Sequence, residues 1–522
     1  MKHTTLFLSV SLFFSLALPA QNQTDKGLSS ITEAELRNHI FFLASDYMNG
    51  RVSTTPEYAI AANYVASQFA AAGVLPAVPA AEGAASYMQG LPFARTVWND
   101  KLVWTLTSAG KETQLLHKSD YKIIQGSNLN HENLQLVYVG YGIEDPGQKW
   151  NDFKDLDLTG KIVVCLTGAP KKNGEPVFPK ESNDRYNGRR GNTNKVFTGI
   201  AAKGAAAVIL IDLDGSLGMD FDQAVSSFTS ERTVYKGSQR AGRGGAFPTT
   251  YLAKPAFLDL IMAGNKNNPN LNPDNVLKNY KPQVLEGVTL NSKVEILTED
   301  ILLSNNVIGM VPGTDPVLKD EYIVVGGHLD HVRAQQGKVS NGADDNASGS
   351  AGVMEIAEAI ALNPCKRTVI FAAWSGEEMG LLGSAFFLES GLFPKEKIKF
   401  NVNLDMIGRT GKGNEATRAH YVVTDKKYLK ELSAFINEIN KGVTDFPILI
   451  DDDEHSPGGS DHMTFIQKGI PAFFFFSGVH ADLHNSGDDP EKIDYPKAAS
   501  VSRLGYLIAQ KLGNMATVPT FQ

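Results

Sequence analysis

The order of apolar and polar positions divides the chain into stretches with different periods. Near the start, Leu36, Ile40 and Leu43 recur at i, i+4 and i+7 behind Thr32-Glu33-Ala34-Glu35. That is one apolar helix face behind an S/T-x-x-E capping box. Ala61, Tyr64, Val65 and Phe69 share one side of a second predicted helix that opens at Pro56 and stops at Gly73. From about 85 to 130 there are strand-like pieces such as Leu102–Leu106, without evident chemistry. From about 133 to 255, Leu136–Val139, Lys161–Leu166 and Ala206–Ile211 predict strands, and Asn194–Lys203 predicts a helix. Loop-rich stretches, Lys171–Arg190 and Gly237–Gly245, interrupt this segment. From about 300, Tyr322–Val325, Thr368–Trp374, Phe400–Leu404 and Ala472–Phe476 are apolar runs of strand length. Amphipathic helices lie between them, with Val353, Ile356, Ala357 and Ile360 on one face. Strands alternating with helices predict an α/β fold with a largely parallel sheet.

Composition adds limits. With 42% hydrophobic and 20% charged residues among 522, the chain has the balance of a globular protein and room for two or three domains. Its net charge of -8 argues against a nucleic-acid partner or a polybasic membrane anchor. Cys165 and Cys365 each adjoin an apolar run and read as buried thiols, not as a disulfide framework. Lys2, the apolar run Leu6–Leu18 and Ala20 read as a secretory signal peptide over residues 1–20, too short to span a bilayer. The mature chain is expected to be exported, periplasmic or extracellular, with no membrane association after cleavage. Its oligomeric state is open.

The chemistry lies where the strands end. Tyr322–Gly327 runs into His328-Leu329-Asp330-His331, and Thr368–Trp374 into Ser375-Gly376-Glu377-Glu378. Phe400–Leu404 ends at Asp405, and Ala472–Phe476 is followed by His480 and His484. In open α/β sheets, ligands bind beyond the carboxyl ends of the strands. Of the 11 histidines, His328, His331, His420, His455, His462, His480 and His484 all follow residue 327. Imidazole and carboxylate without thiolate suit a catalytic divalent ion more than a closed structural zinc. Asp345, just before a helix, adds a carboxylate, which makes enough ligands for two metals.

The motifs GGHLDH, NGADDNASG, GEEMGLLGS, NLDMIG and LHNSGDD occur in this order. Together they resemble the co-catalytic two-zinc exopeptidases, a family that includes bacterial leucyl aminopeptidases, glutamate carboxypeptidase II and, more distantly, glutaminyl cyclases. The resemblance implies a zinc exopeptidase fold: a mixed, largely parallel sheet flanked by helices, with a smaller β-rich insert. It divides the chain into an N-terminal part of the peptidase domain (21–132, with the run LASDYMNGR), a protease-associated insert (133–255, with LVYVGYGI, LTGKIVV and GAAAVILI) and a catalytic domain (256–522). It implies two zinc ions per chain and a peptide substrate. His328 and Asp405 match the ligands of one zinc, Glu378 and His484 those of the other, and Asp345 the carboxylate that bridges them. Glu377 matches the general base. Asp330 matches an acid that orients the His328 imidazole.

Weaker expectations attach to neighbours. Asp461, in Gly459-Ser460-Asp461-His462, matches a loop beside the site and stands as a substrate or ligand contact. His331 reads as a polar loop residue in preference to a supporting one, and Asp451-Asp452-Asp453-Glu454 as a solvated turn. Many family members carry Tyr before the last His. Here that position is Leu483, and His480 is a candidate replacement for the oxyanion donor. The favoured function is a secreted aminopeptidase. The alternatives are an acidic-residue-specific carboxypeptidase or dipeptidase, with Arg189, Arg190, Arg240 and Arg243 reading a carboxylate, then a glutaminyl cyclase, then a non-catalytic protease-associated binding protein.

Overall fold

The computed structural model describes residues 25–521, except 81–82, 100, 126–129, 173, 189–190, 193–194, 219, 228–230, 236–247, 264–280, 334–337 and 453–458. The signal-like run, Arg189, Arg190, Arg240, Arg243 and His455 lie outside the described residues, as do Asp453 and Glu454. The chain forms two compact units. One ends at Leu91 and resumes at Ser304; the other runs from Pro92 to Leu303.

After a short helical turn at Lys26–Ser30, the first unit continues with helix α1 (Glu33–Leu43) and helix α2 (Pro56–Ala71). The Thr32 hydroxyl caps α1 by accepting the Glu35 N–H at 3.2 Å and donates to the Glu35 carboxylate at 2.7 Å. The reciprocal half of the capping box is supplied from elsewhere: the Thr32 N–H donates to Glu355 Oε2 at 3.2 Å. Thr55 caps α2, with Pro56 in its first turn, where a missing N–H costs nothing. Leu36, Ile40 and Leu43 are fully buried, as are Ala61, Val65 and Phe69 to within 1% exposure. The spacing therefore marked the core faces of both helices.

The sheet of this unit is built from β1 (Ile296–Val311, of which residues 304–311 belong here), β2 (Tyr322–His328), β3 (Thr368–Trp374), β4 (Ile398–Leu404), β5 (His420–Thr424), β6 (Ile448–Asp452) and β7 (Ala472–Phe476). Its order is β1-β3-β2-β4-β7-β5-β6. The pairs β3–β2, β2–β4 and β4–β7 are parallel. The pairs β1–β3 and β7–β5 are antiparallel. The fold is thus mixed α/β, largely parallel at the centre. Strands β3 and β7 are buried at every position, the continuous apolar signature of a sheet covered on both faces. Helix α3 (Gly349–Leu362) packs on β2, β3 and β4. The short α4 (His462–Gln467) packs on β4 and β7, and α5 (Tyr495–Asn514) on β2, β3 and β4. The parallel strands β2, β3, β4 and β7 all end at one edge, and the chemistry stands there.

The second unit is β-rich. Its main sheet orders the strands 111–116, 103–108, 283–293, 131–138, 162–166, 207–211, 249–253 and 121–125. The runs Ile162–Leu166 and Ala207–Ile211 are fully buried and parallel. The unit takes in 133–255 and also the strands at 103–125 and 283–293, because those strands hydrogen-bond into the same sheet. Trp104 centres one of its cores, stacked on Tyr121 with ring centroids 3.6 Å apart. Cys165 and Cys365 are buried free thiols.

Candidate metal centre

His328 is the last residue of β2. Its Nδ1 lies 2.9 Å from the Asp330 main-chain oxygen. A carbonyl only accepts, so Nδ1 carries a proton and Nε2 is the nitrogen turned to the acids. It lies 3.3 Å from Asp405 Oδ1 and 3.4 Å from Asp345 Oδ1. The imidazole is therefore oriented by the main chain of Asp330. The Asp330 carboxylate instead accepts the Glu377 N–H at 3.1 Å and so sets the start of the Glu377-Glu378 turn. Ser53 fixes the same turn, its hydroxyl accepting the Gly376 N–H at 2.8 Å.

A second cluster gathers on the other oxygen of Asp345. His484 Nε2 stands 3.0 Å from Asp345 Oδ2 and 3.2 Å from Glu378 Oε1. His331 Nδ1 stands 3.2 Å from Glu378 Oε1 and 3.6 Å from Asp345 Oδ2. The structure thus forms two groups that could each hold an ion, His328-Asp345-Asp405 and His331-Asp345-Glu378-His484, joined by one carboxylate. All of these residues except Glu378 and His484 are buried. The five ligand positions expected from the sequence are brought together. His331, expected as a loop residue, joins them. It is 1% exposed, and only its three-residue spacing from His328 hinted at a place here.

Asp345 is aimed from below. The Asp488 carboxylate accepts the N–H of Asp344 at 3.1 Å and of Asp345 at 3.0 Å. Gly342 opens the same turn at φ 59, and a Cβ there would lie 2.2 Å from the Asp345 carbonyl oxygen and 2.5 Å from the His331 ring. Only glycine fits. Arg51, last residue of the LASDYMNGR run, is fully buried behind this turn. It donates to the carbonyls of Leu43, Leu329, Asn341 and Gly342 at 2.7–2.9 Å. Helical periodicity said nothing of its role.

The electrostatics describe a pocket that calls for positive charge. Burial acts against the His328 imidazolium, yet Asp405, Glu377 and Asp345 hold its pKa well above the ordinary value. Burial likewise opposes charge on His484, but Asp345 and Glu378 push it up to about 11. Asp345 is held well below the usual carboxylate range against its own burial, by His331, His328 and His484. Divalent cations satisfy the same demand, and the donor set, imidazole nitrogen with carboxylate oxygen and no sulfur, fits zinc. Glu377 differs from its neighbour. Burial raises it well above the ordinary range, and Glu378, Asp461 and Asp405 add to the effect against His328. It belongs to neither ligand group. Asp461, fully buried, is pushed up to about 7 by burial, with Asp330 and Asp405 adding to it against His328.

His480 points elsewhere. Its Nε2 lies 3.3 Å from Asp344 Oδ2, an oxygen that also accepts from the Ser477 hydroxyl at 2.7 Å. Leu483 packs with Met406, Val423, Phe474 and Phe476 and brings no donor.

Residues 306–508 match the model of peptidase family M28. A probable leucine aminopeptidase 2 of Trichophyton verrucosum is 34% identical over 181 residues, 33% of this chain and 34% of the relative. The leupeptin-inactivating enzyme 1 of Streptomyces exfoliatus is 29% identical over 204 residues, 38% of this chain and 42% of the relative. The matched region spans about a third of the length of the first of these. An aminopeptidase from an Aneurinibacillus species has a similar fold, with TM-score 0.54 at 19% identity, covering 95% of this chain and 97% of that one.

Proposed function

Because residues 306–508 match the model of peptidase family M28, we propose that the chain is an exported zinc aminopeptidase of the two-metal type, removing N-terminal residues from peptides. The observation that carries this reading is the placement of Asp345. One of its oxygens faces His328, beside Asp405, and the other faces His331 and His484, beside Glu378. Zinc bound by these residues would supply Lewis acidity toward a peptide carbonyl and an acidified water. His328, Asp345 and Asp405 would hold one ion, and Asp345, Glu378 and His484 the other.

Glu377 is the proton carrier in this reading. Its carboxyl, raised by burial and by neighbouring acids, is the group that would take a proton from water and return it to the leaving amine. Asp330 holds its backbone, so the side chain starts from a fixed point. Leu483 supplies no oxyanion donor and His480 is engaged with Asp344, so neither takes the place of that donor in this reading. The run Leu6–Leu18 supports export, and residues 133–255 are proposed as a protease-associated insert. Among the described residues no helix is long and apolar enough to cross a membrane.

The test is a peptide-library digest read by mass spectrometry, with free and N-acetylated termini, before and after chelation. Release of N-terminal residues from free peptides only, lost on chelation and restored by zinc, is the expected result. Equal cleavage of blocked peptides, loss from the carboxyl end, or indifference to chelator would overturn the reading.

A further inference from the structure

We propose that His331 is a fourth protein ligand in the Glu378-His484 group, so that this metal site is closed while the His328-Asp405 site keeps the open position. The inference rests on the two-metal reading above.

It begins with a tautomer. The Ser340 hydroxyl donates to the Asn485 carbonyl at 3.1 Å. Its oxygen is therefore left to accept from His331 Nε2, 3.0 Å away. With the proton on Nε2, the neutral ring turns the lone pair of Nδ1 toward Glu378 Oε1 and Asp345 Oδ2. A lone pair aimed at two carboxylate oxygens is repulsive unless a proton or a metal cation lies among them, and a metal that takes this place displaces the proton. Both His331 Nδ1 and Glu378 Oε1 are buried without a hydrogen-bond partner. Such atoms are costly orphans in a protein interior and ordinary donors around a metal.

The spacing agrees. The four nitrogen–oxygen separations within this group are 3.0, 3.2, 3.2 and 3.6 Å, and all the ligand atoms lie within 4.8 Å of one another. Zinc held at about 2.0–2.2 Å by nitrogen and oxygen in a tetrahedron sets its ligands roughly 3.3–3.5 Å apart. Two imidazoles and two carboxylate oxygens complete that shell. The His328 group has only three protein ligands, the number typical of a catalytic zinc. The two ions should then differ in kind, one retained and one exchangeable.

The experiment is zinc content by mass spectrometry after timed dialysis of the full chain against dipicolinate, for wild type, His331→Ala, His331→Gln and Ser340→Ala. Wild type should lose one zinc quickly and retain the other. His331→Ala should release the retained ion at least about a hundredfold faster, beyond the upper end of what loss of an outer partner costs. Ser340→Ala, which removes only the partner of Nε2, should speed release by about tenfold. His331→Gln can still donate to Glu378 but ligates zinc poorly, so it should follow His331→Ala. Retention like wild type in His331→Gln would reduce His331 to a hydrogen-bond donor and overturn the proposal. Two ions released at one rate from wild type would also overturn it. Wild type that takes up no zinc would instead sink the two-metal reading itself. Cobalt substitution gives a second readout. The intense visible bands of four-coordinate cobalt should appear in wild type and weaken in His331→Ala.

Discussion

Replacing Arg51 by Met tests how far the candidate centre depends on a residue that touches none of its ligand atoms. The guanidinium is fully buried and donates to four main-chain carbonyls. Gly342 O keeps a second donor, the Ala347 N–H at 3.1 Å. The carbonyls of Leu43, Leu329 and Asn341 would be left to an apolar neighbour. A buried acceptor without its donor costs about 1–3 kcal/mol, so three at the lower bound give about 3 kcal/mol. The charge modifies this sum in both directions. Burial pulls Arg51 down to about 10, so the cation itself is expensive to bury. Asp345, Asp488, Asp330 and Glu378 offset that cost, and each would lose a stabilising field with it. Breaking buried charge pairs typically costs 3–5 kcal/mol, and about that range is expected here. For a unit of roughly 300 residues, whose unfolding entropy is about 0.6 kcal/mol/K, the midpoint should fall by about 5–8 °C. Arg51 sits at φ 42, and Met pays the same backbone strain, so that contribution cancels. Calorimetry on metal-free protein isolates the effect from ligand loss. Arg51→Lys should recover part of it. A midpoint within 1 °C of wild type for Arg51→Met would show that the four carbonyls find other donors, and the scaffold account would fail.

Other outcomes follow from the same reasoning. Glu377→Gln should keep its zinc and lose about 10²–10⁴ in kcat with little change in KM, whereas Glu378→Gln should lose metal and be partly restored by excess zinc; equal metal loss in both would refute the division of roles. Trp104→Ala, which removes a fully buried ring stacked on Tyr121, should destabilise the second unit by about 3–5 kcal/mol in chemical denaturation, and a change under 1 kcal/mol would contradict its central place. Burial pulls Lys195 down to about 8, although it donates to the Leu166 and Gly168 carbonyls. The folded chain thus binds fewer protons than the unfolded one between about pH 8 and the ordinary lysine value. Stability should rise with pH across that window by up to about 3 kcal/mol relative to Lys195→Met, measured as the difference between their denaturation curves, and parallel curves would refute it.

The sequence exposed whatever depends on period and order. Strands β2, β3, β4 and β7 are apolar because both faces are covered, and chemistry at their ends follows from parallel pairing. The residues expected as ligands stand together at that edge. What escaped were residues whose partners lie far along the chain. Glu355 looks like the polar face of α3, yet it is 2% exposed and lies between the Thr32 N–H and His39. Arg51 serves main-chain carbonyls, which carry no residue identity to recognise. His331 depends on a Ser340 hydroxyl nine positions on and an Asn485 carbonyl later still. The strand at 103–108 alternates buried and half-buried positions, but alternation does not name a partner, and its partner lies at 283–293.

The bond from Asp488 to the Asp345 N–H joins residues 143 positions apart, and this bears on how the protein is made. A ribosome produces β2, β3 and β4 well before it reaches residue 488. Up to that point Asp345 has its strand environment but not the carboxylate that aims its backbone, and His484 is still unmade or only just emerging. A nascent or prematurely stopped chain can therefore pair these strands while lacking a fixed bridge between the two ligand groups. In the two-metal reading, filling of the Glu378-His484 group would then report that residues 484 and 488 have been made and placed.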